Sequence, residues 1–248
     1  MKQILRQVTV TGADDSIDPT CLLGLAKVYP FVEFGILCSK NNSGLPRFPS
    51  QKWMMGLLDI NNNLVHFSMH LCGSWMRQLM FSTSPEIFQN SHNCWVNDYL
   101  NIFKRVQLNF HGEPLNQIKL DTLVENLKKF GDKQIIFQLD LVNNNLFRSV
   151  DNMSRKLGLE VAGLWDLSHG GGILPENWRL PISENIGYSG GLSPDNLKEN
   201  LDKLCDIVGE TPIWVDFETH ARTADNLKFD IPNKVIPFLE IAKDYVIK

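Results

Sequence analysis

The feature that most constrains this chain is a repeat. Apolar, β-branched runs that end in polar or Gly residues alternate with segments of helical spacing along the whole sequence. The runs fall at 7–11, 32–38, 64–70, 105–109, 134–140, 160–166, 185–189 and 213–218, and read as strands. Helical spacing fills 19–28, 50–58, 85–103, 119–130, 145–157, 194–208 and 233–246, with only a short turn at 175–178 where a sixth helix would stand. The polar ends of the runs lie at positions 11, 40, 70, 111, 140, 166, 190 and 218. That is one strand and one crossover about every 30 residues, the length a parallel βα unit needs. The wider interval between 70 and 111 predicts an enlarged excursion around 71–104.

Runs such as Ile213-Trp214-Val215 are apolar throughout, as parallel strands covered on both faces must be. Eight units predict an α/β fold, a (β/α)8 TIM barrel, with residues 1–248 as one domain. The competing open, doubly wound sheet is disfavoured because Val10-Thr11-Gly12-Ala13-Asp14 follows the first strand, where such a sheet places G-x-G-x-x-G. The 24 basic and 28 acidic residues give a net charge of −4 with no clustered basic run, which excludes the footprint of a nucleic-acid binder. Apolar stretches are short and Met1, Lys2 and Gln3 do not open a leader, so no membrane partner and a cytoplasmic location are expected. Cys21, Cys38, Cys72, Cys94 and Cys205 are scattered without a C-x-x-C pair and read as reduced thiols.

In such a barrel the C-terminal strand ends converge on one mouth, and polar residues gather there along this sequence. Thr11, Glu33, His70, His111, Asp140, Asp166, Ser189 and Glu218 all lie on or just past strands. Any one of them is as readily a satisfied hydrogen-bonding residue. Together, buried charges of this kind are costly unless paired or used. Two Gly-rich stretches, Gly170-Gly171-Gly172 and Gly190-Gly191, stand at the sixth and seventh strand ends. The second precedes Ser193-Pro194, read as a helix N-cap and first helical residue, so its backbone amides are candidates to hold an anion, with Thr219 and His220 across from them. A Gly pair before a helix is also the ordinary way to build a tight turn. Lys40 and Arg47, in the loop after the second strand, are candidate anion contacts or solvated loop charges.

Val106-Gln107-Leu108 through His111-Gly112-Glu113, Asp166 followed by Gly170-Gly171-Gly172, Gly190-Gly191-Leu192-Ser193-Pro194-Asp195-Asn196 and Trp214-Val215-Asp216 followed by Glu218-Thr219 resemble, in order, motifs of the phosphoribosylanthranilate isomerase family. The resemblance is strongest after Arg105 and runs over the first hundred residues in pattern only. It implies a phosphosugar ligand, an Amadori-type rearrangement of an aminoaldose to an aminoketose, and a carboxylic acid at Asp166. The family's base is a Cys on the first strand. Thr11 stands there in this chain, and an alkanol lacks the acidity of a thiol. The chain therefore reads as a divergent branch with a substrate other than phosphoribosylanthranilate. His70 or His111 is the candidate base, since unperturbed imidazole titrates near neutrality.

The leading reading is an isomerase-like enzyme for a phosphorylated or similarly anionic small metabolite, without cofactor. Two alternatives stand beside it. One is a metal-dependent hydrolase or lyase whose ligands come from Glu33, His70, His111, Asp140, His169 and His220. The other is a phosphometabolite-binding protein that has lost catalysis.

Overall fold

A computed structural model of the chain describes residues 2–89, 94–109, 115–168 and 170–248. Eight strands, β1 (Leu5–Thr11), β2 (Val32–Ser39), β3 (His66–Cys72), β4 (Arg105–Leu108), β5 (Gln134–Leu139), β6 (Val161–Trp165), β7 (Ile186–Tyr188) and β8 (Ile213–Phe217), close a barrel in sequence order. Every pairing is parallel, and β8 closes onto β1. The expected barrel is thus present. Each expected strand lies within two residues of the observed one.

Helices α1 (Thr20–Val28), α2 (Gln51–Ile60), α3 (Gly73–Phe81), α4 (Leu120–Lys128), α5 (Asn144–Lys156), α6 (Leu197–Val208) and α7 (Ile236–Ala242) pack around it. Their apolar stripes, such as Leu123, Val124 and Leu127 on α4, join the outward strand residues in one continuous core. Ser50 caps α2 by accepting the Trp53 amide over 3.2 Å. Among the described residues no helix is long and apolar enough to cross a membrane.

Three helix expectations need correction. The excursion after β3 is present, but its α-helix is Gly73–Phe81, and among the described residues the stretch expected as helix at 85–103 holds two 3-10 segments, Glu86–Phe88 and Trp95–Ile102. Helix α6 begins at Leu197, not Pro194; the Ser193 amide donates instead to the Asn196 side chain over 2.9 Å, forming a turn before the helix. The last helix is broken into a π-helical turn (Ile231–Val235), α7 and a final 3-10 turn (Lys243–Tyr245). The β6–β7 connection carries no helix among the described residues, as expected.

The barrel interior is partly charged. Arg105 on β4 donates to Glu33 on β2 over 2.9 Å, and its guanidinium lies 4.3 Å from the ring centroid of Trp214 on β8. These strands face one another across the barrel, so the contacts define its inside. Glu33 also accepts from Thr9 at 2.9 Å and Gln7 at 3.1 Å. Beside them Ile136, Ala162, Leu164 and Trp214 form a small apolar cluster separate from the outer core.

Candidate active site at the barrel mouth

Inward positions alternate along each strand, so Thr11, Asp166 and Asp216 follow the floor residues toward the C-terminal ends. Thr11 is fully buried, and its hydroxyl donates to Asp216 Oδ1 over 2.7 Å. The Asp216 carboxyl is pushed well above the usual carboxylate range, first by burial and then by Glu218, Asp166 and Glu33, with the Thr11 bond opposing. Its surroundings thus favour the protonated form. Asp166 is used differently: both of its oxygens accept. Oδ2 takes Gln138 Nε2 at 2.5 Å and the Gly170 amide at 2.9 Å, and Oδ1 takes the Ser168 amide at 3.0 Å and hydroxyl at 2.7 Å.

Asp166 and Asp216 line one small pocket with Glu218, Ser189, Gly170, Gly172, Gly190, Gly191, Thr219 and His220, a cavity of about 10 Å³, the room of a single water. Of the residues expected at the mouth, the pocket brings together Asp166, Ser189, Gly190, Gly191, Glu218, Thr219 and His220. Glu218 is ion-paired with Arg47, which reaches over from the loop after β2. Burial raises the Glu218 carboxyl and Arg47 opposes. Arg222, four residues beyond Glu218, is committed elsewhere: it donates to Asp14 at 2.8 Å and to the Gly12 carbonyl, tying the β8 loop to the β1 loop. Arg47 is fixed from both ends, because its amide donates to Asp14 over 2.7 Å.

Several expected site residues lie elsewhere. Glu33 pairs in register with Thr9 and His66 near the start of β2, below the mouth, and its charge is spent on Arg105. Asp140 accepts the amides of Val142 and Asn143 at 2.7 Å each, shaping its own turn. Gly171 is exposed and outside the pocket lining. Lys40 pairs with Glu86 at 2.7 Å. His111 and His169 lie outside the described residues.

His70 is inside the barrel, but the argument from an unperturbed imidazole does not hold for it. Burial, with Arg105 nearby, pushes it down to about 3, so it is a neutral and weakly basic ring. Among the described residues neither of its nitrogens has a hydrogen-bond partner. A Cβ on Gly35 would lie 2.1 Å from Thr11 Oγ1 and 2.8 Å from His70 Nε2, so this glycine is what lets both side chains close over β2. Among the described residues no group of three or more His, Cys, Asp or Glu is arranged to hold a metal ion.

The glycines at the pocket serve packing. At Gly191 (φ +64°) a Cβ would meet the Leu174 amide nitrogen at 2.3 Å, and at Gly172 it would meet Thr219 at 2.7 Å. The β6–β7 connection therefore lies directly against Gly190–Gly191, and His220 Nε2 contacts the Gly172 carbonyl at 3.3 Å. Asp216 and Gln138 are polar strand-end residues in the sequence to which it assigns no role in the site. The signal for Asp216 was a lone acid inside the apolar run Ile213–Phe217. A wider groove at the opposite pole, lined by Arg6, Glu184 and Glu210 among others, gathers no comparable set.

Fold and mouth together define a (β/α)8 barrel with an acidic, glycine-walled pocket at its C-terminal face. No family model and no curated protein matches the chain. Its barrel is similar to TrpF from Jonesia denitrificans (TM-score 0.60, 16% identity, 96% of this chain and 97% of that one). It is also similar to the phosphoribosyl anthranilate isomerases of Thermus thermophilus (TM-score 0.57, 14% identity, 96% and 98%) and Thermotoga maritima (TM-score 0.53, 17% identity, 97% and 100%). At these identities the likeness is one of fold.

Proposed function

We propose that the chain is an isomerase-like enzyme that binds a phosphorylated, sugar-like small molecule at the mouth and moves protons with two carboxyl groups. The observation that carries this reading is the contrast between Asp216 and Asp166 in one pocket. Asp216, buried among other acids and pushed upward, is assigned as the donor. Asp166 accepts four hydrogen bonds at its two oxygens and is assigned as the acceptor of the pair, a role that requires substrate to displace one of those donors. Paired carboxyl groups whose surroundings separate their roles are how acid–base chemistry runs at neutral pH. This moves the acid from Asp166, where the motif resemblance put it, to Asp216.

Thr11 orients the Asp216 carboxyl and takes no proton itself. The anion end of the ligand is assigned to the backbone around Gly170–Gly172 and Gly190–Gly191, with Thr219 and His220 at its edge. Arg47 is the compensating cation: an incoming phosphate competes with Glu218 for it. Substitution of Cys by Thr on β1 supports a substrate other than phosphoribosylanthranilate.

The test is a set of N-substituted ribosylamine 5-phosphates, formed from ribose 5-phosphate and simple amines and followed by NMR for the ketosamine. Turnover lost in both Asp166→Asn and Asp216→Asn supports the reading. Absence of turnover in the wild type, with no binding of ribose 5-phosphate by calorimetry, overturns it.

A further inference from the structure

We propose that the β3–β5 side of the mouth is a subsite for an uncharged, hydroxyl-rich part of the ligand, read by His70, Gln107 and Gln138. The register pairs His70 with Gln107 across β3 and β4, and Gln107 follows Arg105 by two residues, so both face the barrel interior. Gln138 follows the interior residue Ile136 by two on β5.

The two amides have fixed orientations. Gln138 Nε2 donates to the Asp166 carboxylate at 2.5 Å, which only its nitrogen can do, and Gln107 Nε2 donates to Asn109 Oδ1 at 2.9 Å. Asn109 is itself anchored by donating to Cys72 Sγ at 3.3 Å. Each glutamine therefore turns its carbonyl oxygen away from these contacts, and Gln107 Oε1 and Gln138 Oε1 are both buried without a partner among the described residues. Both nitrogens of His70 are in the same condition. Buried polar groups are nearly always matched, so a cluster of unmatched ones carries a desolvation cost that a bound group would relieve.

The chemistry of the cluster chooses the ligand. Two amide oxygens accept only, and a neutral imidazole offers one acceptor and one donor. The complement is a group rich in donors, that is, hydroxyls. Ser68 Oγ and Arg105 Nε and Nη2, one layer deeper on β3 and β4, are unmatched donors among the described residues as well; at the level of His70, Gln107 and Gln138 a carboxylate would face two carbonyl oxygens. Because Gln138 holds Asp166, this subsite adjoins the pocket directly, and a ligand anchored by phosphate near β7 and β8 would extend its hydroxyl-bearing chain toward β3–β5. The inference rests on the proposed function only for that anchor.

The experiment compares ribitol 5-phosphate with pentyl phosphate, which has the same chain length and no hydroxyls, by calorimetry on the full chain. Wild type should prefer ribitol 5-phosphate by about tenfold or more, the worth of one or two matched hydrogen bonds. Gln107→Leu and His70→Leu each replace unmatched polar atoms by apolar ones. They should reduce the preference to about threefold or less while leaving pentyl phosphate affinity unchanged. Equal affinity for the two probes in the wild type, or a preference that survives in both variants, overturns the subsite; the latter leaves the unmatched atoms a role in internal hydration only. If neither phosphate binds, the phosphate reading fails, and free ribitol decides the subsite alone. Its titration must then shift the Gln107 and Gln138 side-chain amide resonances, and no shift overturns the proposal.

Discussion

Thr11 donates its hydroxyl hydrogen to Asp216 across the β1–β8 seam, and both side chains are shut away from solvent. The bond joins the first strand of the barrel to the last. It explains how a hydroxyl residue serves at this position: its β-branched side chain has little rotamer freedom and aims one carboxyl group at the pocket. Gly35 makes the arrangement possible by leaving room for Thr11 and His70 on either side of its Cα.

Thr11→Val keeps the shape and removes the hydrogen bond. Turnover of the ribosylamine phosphates should fall about ten- to a hundredfold with KM changed by less than about threefold, since an orienting contact acts on the transition state more than on binding. Stability should drop by about 1 kcal/mol. Thr11→Ser should recover most of both. Recovery by Ser of neither quantity would mean that the methyl group, and not the hydroxyl, matters at this position.

Asp216 also makes stability depend on pH. Its folded pKa is raised, so the native chain keeps a proton that an unfolded Asp releases near pH 4 (about 3.9). Between that pH and the raised value the folded state binds more protons, and stability falls as pH rises. Glu218, also raised, acts with the same sign. Asp216→Asn should match wild type near pH 4 and become more stable than it by about 1 kcal/mol or more toward pH 8. Urea titrations at several pH values measure this. A difference that stays flat from pH 4 to pH 8 would show that Asp216 is already ionised in the fold.

The barrel was legible because each βα unit repeats the same pattern, so a misread boundary in one does not disturb the next. Depth within the barrel was not legible. Glu33 and Ser39 both lie on β2 and both are buried, yet one belongs to the floor and the other to the C-terminal end. Only the register with β1 and β3 separates them. The counter-charge was on the page all along in Arg105, an inward cation at the start of β4, but pairing it with Glu33 needs the third dimension. Helix α3 was missed although Trp75, Met76, Leu79 and Met80 have helical spacing, because the longer stretch at 85–103 drew the assignment. That stretch contains Cys94, Asn97, Asp98 and Asn101, residues whose side chains compete for local backbone groups, and it settles into 3-10 turns.

The Glu33–Arg105 pair tests whether the floor charge is structural. Arg105→Met leaves a carboxylate buried without its cation and should cost about 3–5 kcal/mol. Adding Glu33→Gln should return most of that loss, because Gln7 and Thr9 still have an oxygen to donate to. A double-mutant cycle by chemical denaturation reads the coupling. Simple additivity of the two substitutions would contradict the pairing.

Gly191 and Gly131 form a matched comparison for the wall of the pocket. Both have a positive φ, +64° and +71°, so Ala strains each backbone similarly, by about 1 kcal/mol. A Cβ at Gly131 meets nothing within 4 Å, whereas at Gly191 it meets the backbone of Ile173 and Leu174 at 2.7 and 2.3 Å. Those atoms belong to the main chain and do not rotate aside. Gly191→Ala should therefore cost about 1–3 kcal/mol more than Gly131→Ala, and it should push the β6–β7 connection off the pocket, seen as faster proteolysis near Gly172–Leu174. Equal losses in the two variants would mean that the connection does not rest on Gly191 in solution.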